Sequence, residues 1–182
     1  FIGEATAYDK KEKLERNKSK SWLKSVSAFA NGEGGVLIWG ISDNDEVVGL
    51  VDAKGDAEFI SEVIKTKLDP VPVISLEFKV VNEKQLVVLH VNAGQETPYY
   101  YIGDKQRIAY VRIGNESVVA DRIQLKGLVM KGSGRTYDCL PSSFRFEDMA
   151  FTKLKSVHYK RLQRSFEDSE FTSWGIVDEN GN

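Results

Sequence analysis

Residues 26–43 of the chain read VSAFANGEGGVLIWGISD, and this stretch decides the fold. The apolar residues at its start, with those just before it, recur at the spacing of one helix face. They are Trp22, Leu23, Val26, Phe29 and Ala30. We expect Ser19 or Ser21 to cap this helix and Gly32 to end it in a left-handed conformation. The apolar residues 36–41 are too few for another helix and rich in branched and aromatic side chains, which predicts a strand covered on both faces.

The three glycines between this helix and this strand invite comparison with phosphate-binding loops. Such loops normally follow a strand and hold the phosphate at the positive N-terminus of the next helix. Here the preceding helix presents its C-terminus, whose carbonyl groups repel an anion, and no Gly-Lys-Ser or Gly-Lys-Thr follows. A tight turn that needs small residues is therefore the favoured interpretation, and ATP binding is a weaker alternative.

The composition is that of an ordinary globular protein, with 41% hydrophobic and 29% charged residues among 182. No apolar run approaches the roughly 18 residues of a membrane span and no signal peptide is visible, so we expect no membrane association and a cytoplasmic location. The single Cys139 excludes an internal disulfide, and with only two histidines beside it the sequence lacks the spacing of a zinc site. The chain begins at Phe1 rather than Met, which we interpret as a piece of a longer protein.

Positive charge is concentrated between residues 10 and 24. This segment has seven lysines and arginines but only two glutamates, whereas the whole chain carries a formal net charge of −2. A slightly acidic chain argues against indiscriminate nucleic-acid binding, because such binding neutralises several phosphates at once. The basic segment fits a local nucleic-acid contact or, equally, mobile lysines at the start of a solvated helix.

The sequence after the first strand predicts hairpins and two more helices. Residues 42–45 form a turn cluster that would return residues 46–50 as the hairpin partner of the first strand. The second helix is expected to be capped by Asp56 and ended by Pro70 and Pro72. Further elements are a hairpin of residues 73–81 and 86–91, a hairpin of residues 99–102 and 107–113, and a third helix over residues 120–131. The apolar side of the third helix is expected to comprise Ile123, Leu125, Leu128 and Val129.

A short glycine-rich segment after the third helix indicates a domain boundary. We therefore divide the chain into a main domain, residues 1–132, and a C-terminal part, residues 133–182. The second part is expected to hold a linker, a helix and the start of a truncated region. Residues 144–148 lead into this helix, which runs to about Arg164. The side chains available for burial are Met149, Leu154, Val157 and Leu162.

Four segments of the main domain share the order and character of one known family. They are residues 4–12 (EATAYDKKE), 26–50, 97–101 (TPYYY) and 109–117 (AYVRIGNES). Together they resemble the Schlafen-like AlbA-type DNA-binding domain, a family formerly described as a divergent AAA domain. The resemblance agrees with the predicted elements on an α/β (α+β) fold, in which a mixed, largely antiparallel sheet packs with about three helices. A C-terminal helical extension would follow, where many relatives carry a DNA-binding winged-helix region.

The similarity to Schlafen nucleases implies three carboxylates that bind a divalent cation, and Glu4, Asp9 and Asp43 stand at the corresponding places. Oxygen ligands suit Mg²⁺ or Mn²⁺, which would activate water and offset charge on a scissile phosphate. The chain departs from the family pattern, because Asp9 replaces the commoner Glu and Lys10 replaces an apolar aromatic residue. On a straight strand Glu4 and Asp9 would also point to opposite faces, so a turn must intervene. The alternative is that these acids are solvent-facing turn and cap groups.

The candidate nucleic-acid contacts are Lys11, Lys18, Lys20, Lys24 and Arg112. Lys11 matches a lysine of the family and can neutralise a phosphate or pair with Asp9 or Asp43. Arg112 precedes a glycine turn, where its guanidinium can grip a phosphate with two hydrogen bonds or tie to the turn at Glu116 or Ser117.

The leading interpretation is a module that binds DNA or structured RNA, from the N-terminal part of a bacterial-type transcriptional regulator. The alternative is a Mg²⁺- or Mn²⁺-dependent endoribonuclease that uses Glu4, Asp9 and Asp43, so whether the protein is an enzyme stays open. Schlafens enclose their substrate between two related lobes. Because only one copy is present here, we expect a homodimer if the same clamp forms.

Overall fold

The structure is a computed structural model that describes residues 7–135 and 146–177. The chain divides into two compact units, Phe1–Thr136 and Tyr137–Asn182. The fold is of the mixed α/β class that the sequence predicts, and the described residues include two four-stranded sheets. Within those residues, no helix combines the length and the apolar character that crossing a membrane would need.

The described part of the first unit contains eight strands and three helices. In chain order they are β1 (Tyr8–Lys11), α1 (Lys20–Asn31), β2 (Gly35–Trp39), α2 (Ala53–Lys67), β3 (Leu68–Asp69), β4 (Ile74–Val81), β5 (Lys84–Val91), β6 (Tyr100–Gly103), β7 (Gln106–Ile113), β8 (Glu116–Val119) and α3 (Arg122–Gly132). A single 3-10 turn, Arg16–Lys18, precedes α1.

One sheet has the strand order β1-β2-β5-β4, and the other has the order β3-β6-β7-β8. β1 runs parallel to β2, whereas the other described strand pairs are antiparallel. Alternation along β2 places Leu37 and Trp39 in the core, while Val36 and Ile38 on the opposite face are only partly buried. The strand expected to be covered on both faces is therefore fully buried on one face alone.

Helix α1 lies against both sheets, because it contacts β2 and β5 of the first and β6, β7 and β8 of the second. All of its predicted apolar residues are buried, which confirms the helix. Ser25, Ser27 and Asn31 are buried beside them. Burial against two sheets stabilises this helix more than its local propensity does.

The glycines after α1 differ from the expectation in one respect. Gly32 does follow the helix, but its φ of −99° is not left-handed. The left-handed glycine is Gly34, with a φ of 87°, where a side chain would also collide with the Val91 carbonyl oxygen. The tight turn is thus made two residues later than predicted.

The helix caps were predicted only in part. Ser19 is the N-cap residue of α1, but its side chain makes no capping hydrogen bond. In α2 the cap is Asp52, whose side chain accepts a hydrogen bond from the Gly55 N–H, so the expectation for Asp56 was wrong. Asp56 lies inside the first turn and instead accepts a hydrogen bond from Arg16.

The sequence predicted a hairpin of several residues directly after β2, and this prediction was wrong in the extent of the pairing. A single bridge, Ile41↔Val47, forms there, because β1 and β5 occupy the two edges of β2. The two longer hairpins are confirmed. Asn82-Glu83 joins β4 to β5 and Asp104-Lys105 joins β6 to β7, with positive φ at every turn residue, as favoured two-residue turns require.

Helix α3 is confirmed, but its buried side differs from the prediction. Leu128 and Met130 are buried, whereas Ile123 and Val129 are 75% and 50% exposed. The Thr97 hydroxyl donates a hydrogen bond to the Leu128 carbonyl oxygen over 2.7 Å. Leu125 is partly buried, so the helix packs most closely through its C-terminal end, and Ile123 in its first turn faces solvent.

The second unit is described over residues 146–177 and contains α4 (Thr152–Leu162) and α5 (Asp168–Ser173). Its core is aromatic, with buried Phe166 and Phe171 in contact with partly buried phenylalanines. The short helix α5 had no counterpart in the sequence prediction. Cys139 and residues 144–145 lie outside the described residues.

Helix α4 corresponds to the helix expected in this part, but it buries other side chains. Leu154 is partly buried as expected. Met149, Val157 and Leu162 are 44%, 43% and 52% exposed, so their expected burial was wrong. The helix instead buries His158, which is 3% exposed and lies against aromatic rings.

Candidate nucleic-acid interface

Asp9 is held by two partners beside the N-terminal strand β1. Its Oδ2 accepts a hydrogen bond from Ser25 Oγ of α1 over 2.8 Å, and its Oδ1 lies 3.1 Å from Lys11 Nζ. Asp9 and Lys11 share one face of β1 because side chains alternate along a strand. The structure therefore realises the pairing of Lys11 with Asp9 that the sequence left open, and Lys11 keeps 35% of its side-chain surface exposed.

Arg112 reaches the same strand from β7. Its Nη2 donates a hydrogen bond to the Tyr8 carbonyl oxygen over 2.9 Å, and its Nη1 donates to Ser117 Oγ over 3.0 Å. Burial lowers the pKa of Arg112, and the nearby Asp9 carboxylate acts in the opposite direction. Arg112 thus ties β1 to β7 and β8, and its contact with a phosphate stays a prediction.

Serines complete this arrangement, which we call the Asp9 cluster: Asp9, Lys11, Ser25, Arg112 and Ser117. The Ser117 hydroxyl lies 3.3 Å from the Ser25 hydroxyl, so hydrogen bonds run from β8 through α1 to β1. The contact of Arg112 with Ser117 is the tie to the turn that the sequence left open, whereas Ser25 was not singled out from the sequence. The one available signal was a serine within the buried row of α1, where a polar group needs a partner.

The loop that carries Asp43 is contacted from the other face of β1. Lys10, whose side chain alternates with that of Asp9, donates hydrogen bonds to the Asp43 carbonyl oxygen over 2.8 Å and to Asp45 Oδ1 over 2.6 Å. Asp43 itself is exposed, and Glu4 lies outside the described residues. The contacts therefore bring Asp9 together with Lys11 and Arg112, while the Asp43 loop is joined to Lys10.

Two of the three acids of the predicted cation site, Asp9 and Asp43, lie within the described residues. Among residues 7–135 and 146–177, no three Asp, Glu, His or Cys side chains form a group that could hold a metal ion. The carboxylate of Asp9 already serves a hydroxyl and an ammonium group. The described residues thus do not assemble a ligand set for Mg²⁺ or Mn²⁺, and binding of either ion stays a prediction.

Three predicted contacts lie where the chain enters α1, and we call Lys18, Lys20 and Lys24 the basic rim. The Lys18 side chain is 74% exposed and 3.4 Å from Glu15, while that of Lys20 is 41% exposed and 3.8 Å from Asp104. Lys24 is exposed one turn further along. Exposed ion pairs of this kind are weak, so Lys18 can exchange its partner for a phosphate at little cost. Lys20 would also give up a hydrogen bond to Gln106 Oε1 and its position over the Tyr101 ring.

The N-terminal end of α1 adds to the positive potential of the basic rim. Its first turn contains no acidic residue, and Ser19 makes no side-chain hydrogen bond to the N–H groups there. Those groups and the aligned peptide dipoles favour an anion at this end of the helix. The glycine turn lies at the opposite, C-terminal end of α1, where an anion is not favoured.

The fold and this site define an α/β domain whose central helix presents lysines at its positive end. Residues 4–121 match the model of the Schlafen, AlbA_2 family, which is well over half of the chain. The chain therefore belongs to the Schlafen AlbA_2 family. The membership confirms the resemblance and suggests a function related to nucleic acids.

Two solved structures are similar to this chain. The DIP2311 protein of Corynebacterium diphtheriae is similar over 97% of this chain and 33% of its own, with 18% identity and a TM-score of 0.53. The N-terminal domain of a RecG-related protein from Nitrosomonas europaea is similar over 64% of this chain and 83% of its own, with 23% identity and a TM-score of 0.47. None of the curated proteins matches the sequence. The chain thus spans about a third of the DIP2311 protein, and that likeness concerns the fold alone.

Proposed function

We propose that the first unit is a nucleic-acid-binding module that holds phosphates of DNA or structured RNA through the basic rim and Lys11. Its setting would be a bacterial transcriptional regulator in the cytoplasm. The observation that carries the proposal is the exposure of Lys18, Lys20 and Lys24 at the positive end of α1. Membership of the Schlafen AlbA_2 family supports the same conclusion.

The physical argument rests on where the bases lie rather than on how many there are. Most lysines of the chain are balanced by acids, since the formal net charge is only −2. A duplex or a folded RNA would therefore dock at one edge of the unit rather than coat its surface. The favourable free energy of binding comes from releasing the counterions of each neutralised phosphate. The affinity therefore falls steeply as the salt concentration rises.

Charge removal from two matched surfaces tests this proposal. One variant carries Lys18→Gln, Lys20→Gln and Lys24→Gln, and the control carries Lys54→Gln, Lys65→Gln and Lys67→Gln on the exposed side of α2. Fluorescence anisotropy with a short DNA duplex and an RNA hairpin measures both against wild type. We expect the first variant to bind at least about tenfold more weakly at low salt, and its plot of log K against log salt to flatten by about 2 to 3.

Two results would contradict the proposal. One is a wild-type chain that binds neither nucleic acid at low salt. The other is an equal loss of affinity in both triple variants, which would mean that binding depends on the overall charge of the chain and not on the basic rim. A preference of the wild type for the duplex or for the RNA hairpin identifies the natural class of ligand.

The endoribonuclease interpretation is separated from simple binding by a cleavage assay. Structured RNA is incubated with Mg²⁺ or Mn²⁺ and either wild type, Asp9→Asn or Asp43→Asn. Binding without cleavage predicts intact RNA in every reaction. Cleavage by wild type that is lost in Asp43→Asn would instead establish the nuclease, because the metal would then need that carboxylate.

A further inference from the structure

Strand β4 forms an open edge of the first sheet. It ends the order β1-β2-β5-β4, so among the described strands it pairs with β5 alone. It is eight residues long, and the five residues from Glu77 to Val81 are all exposed. A long edge with free peptide groups is a template for pairing with another strand, unless it is blocked.

The apolar row of β4 begins in the core and ends in solvent. Ile74 and Leu76 pack against the core cluster, opposite Val91 and Leu89 of β5. Phe78 and Val80 continue the same row, yet they are 54% and 68% exposed. Within one copy, the row is therefore left uncovered over its second half.

The opposite face of β4 carries charge. Glu77 and Lys79 are two residues apart on this face and form an ion pair with each other. The second oxygen of Glu77 lies 3.6 Å from His90 Nε2. An acid and a base thus flank Phe78 symmetrically along the strand.

We infer that two copies of this chain pair through β4 in antiparallel fashion, with Phe78 opposite Phe78 of the second copy. The result would be one continuous eight-stranded sheet with a twofold axis at Phe78. This interface lies at the far edge of the sheet from β1 and the Asp9 cluster.

Hydrogen-bond geometry limits the registers that such a pair can adopt. In an edge strand the peptide groups of alternate residues point away from the sheet. Two antiparallel copies can therefore form hydrogen bonds only if odd-numbered residues face odd-numbered residues and even-numbered residues face even-numbered ones. The symmetric registers near the middle of the exposed segment are then those centred on Glu77, on Phe78 or on Lys79.

The charges of Glu77 and Lys79 favour one of these three registers. Centring on Glu77 places Glu77 opposite itself, and centring on Lys79 places Lys79 opposite itself. Like charges directly opposite destabilise a sheet, whereas opposite charges stabilise it. Centring on Phe78 places each Glu77 opposite Lys79 of the other copy, twice by symmetry.

The register centred on Phe78 also pairs the apolar residues of the two copies with each other. Leu76 then faces Val80 of the second copy on both sides of the axis, and the two Phe78 rings meet at the centre. The exposed half of each row is covered by the other copy. Self-complementarity of both faces in one register is the reason to assign a second copy, rather than another protein, to this edge.

A charge-exchange experiment on the full chain tests the pairing. Sedimentation velocity measures the dimer constant of wild type, Glu77→Lys, Lys79→Glu and the double variant that combines them. We expect a wild-type dimer in the micromolar range, a dissociation constant raised at least about tenfold in each single variant, and recovery in the double variant. Glu58→Lys and Lys65→Glu, both exposed on α2, serve as controls without effect.

Cross-linking provides a second readout that does not depend on charge. In a Cys139→Ser background, Phe78→Cys is expected to form a disulfide-linked dimer under mild oxidation, and the fully exposed Val51→Cys is not. A wild-type chain that stays monomeric up to about 100 μM would overturn the inference and would mean that Lys79 blocks the edge instead. A dimer that is unchanged by both single reversals, or not recovered by the double exchange, would overturn it as well.

Discussion

Asn31 of α1 hydrogen-bonds to the main chain of Tyr99 in both directions. Its Nδ2 donates to the Tyr99 carbonyl oxygen over 3.0 Å, and its Oδ1 accepts from the Tyr99 N–H over 2.7 Å. The same Nδ2 donates to the Tyr110 carbonyl oxygen over 2.9 Å. One buried side chain of the central helix thus takes the place of a strand partner where β6 begins beside β7.

Replacing this side chain is expected to destabilise the first unit strongly. Asn31→Ala leaves the main-chain groups of Tyr99 and Tyr110 buried with fewer partners, which costs about 3 kcal/mol in the free energy of unfolding. Urea denaturation followed by circular dichroism measures the loss. Asn92→Ala, at an exposed asparagine, is the control and should change stability by no more than about 0.5 kcal/mol. Equal effects of the two variants would contradict the role assigned to Asn31.

Two glycines of α3 are expected to respond in opposite directions to the same substitution. A Cβ on Gly132 would lie 1.8 Å from the Thr97 carbonyl oxygen, whereas a Cβ on Gly127 would meet no heavy atom within 4 Å. Gly132→Ala should therefore destabilise the unit by about 1 to 3 kcal/mol, because main chain must move. Gly127→Ala should stabilise it by up to about 1 kcal/mol, because alanine is the better helix former. Thermal unfolding measures the change in melting temperature of each variant relative to wild type. A change in the same direction for both variants would refute the argument.

The local patterns of the sequence were sufficient for much of the fold. The apolar spacing from Trp22 to Ala30 predicted α1, and turn residues between apolar runs predicted the two long hairpins, because these signals act within a few residues. The parallel pairing of β1 with β2 was not predicted. β1 reads Tyr-Asp-Lys-Lys, which has no strand pattern, and a neighbour far along the chain brings it into the sheet.

The cations of the candidate site were predictable, and the partners of each were predicted only as one of two alternatives. Lys11 pairs with Asp9 and Arg112 with the Ser117 turn, but the Ser25 hydroxyl that holds Asp9 carries no local signal in the sequence. Similarly, the buried Ser27 and Asn31 lie on a helix side that periodicity alone would assign to apolar packing. Polar contacts between elements depend on register and distance, which a single sequence does not encode in any short pattern.

Substitution of Arg112 separates its contacts within the fold from a contact with nucleic acid. Arg112→Lys keeps the positive charge but loses the fork that reaches both Tyr8 O and Ser117 Oγ. We expect a stability loss of about 1 to 2 kcal/mol in urea denaturation. Below the unfolding transition, the affinity for a DNA duplex should fall less than in the triple variant of Lys18, Lys20 and Lys24. A larger loss of affinity with unchanged stability would instead favour direct phosphate binding by Arg112.

Acid stability of the second unit is expected to depend on Glu170. Arg164 donates hydrogen bonds to both carboxylate oxygens over 2.8 and 2.7 Å, and the Glu167 N–H donates another over 2.9 Å. These contacts lower the pKa of Glu170 to about 2, with the Arg164 hydrogen bonds as the largest cause. The carboxylate is therefore still charged and paired in the folded unit at a pH where an unfolded glutamate, with a pKa of about 4.3, takes up a proton.

A lowered pKa in the folded state means stability that is fully present above about pH 4.3 and is lost as the pH falls towards 2. Glu170→Gln removes the titrating group, so wild type should exceed this variant in melting temperature near neutral pH, and the difference should shrink through that window. Thermal unfolding followed by the fluorescence of Trp174, whose ring packs on His158 and Phe166, measures it. Glu58→Gln on α2 is the control and should leave the acid dependence of this signal unchanged. A difference between wild type and Glu170→Gln that is the same at every pH would show that the Arg164 contact does not set the acid stability.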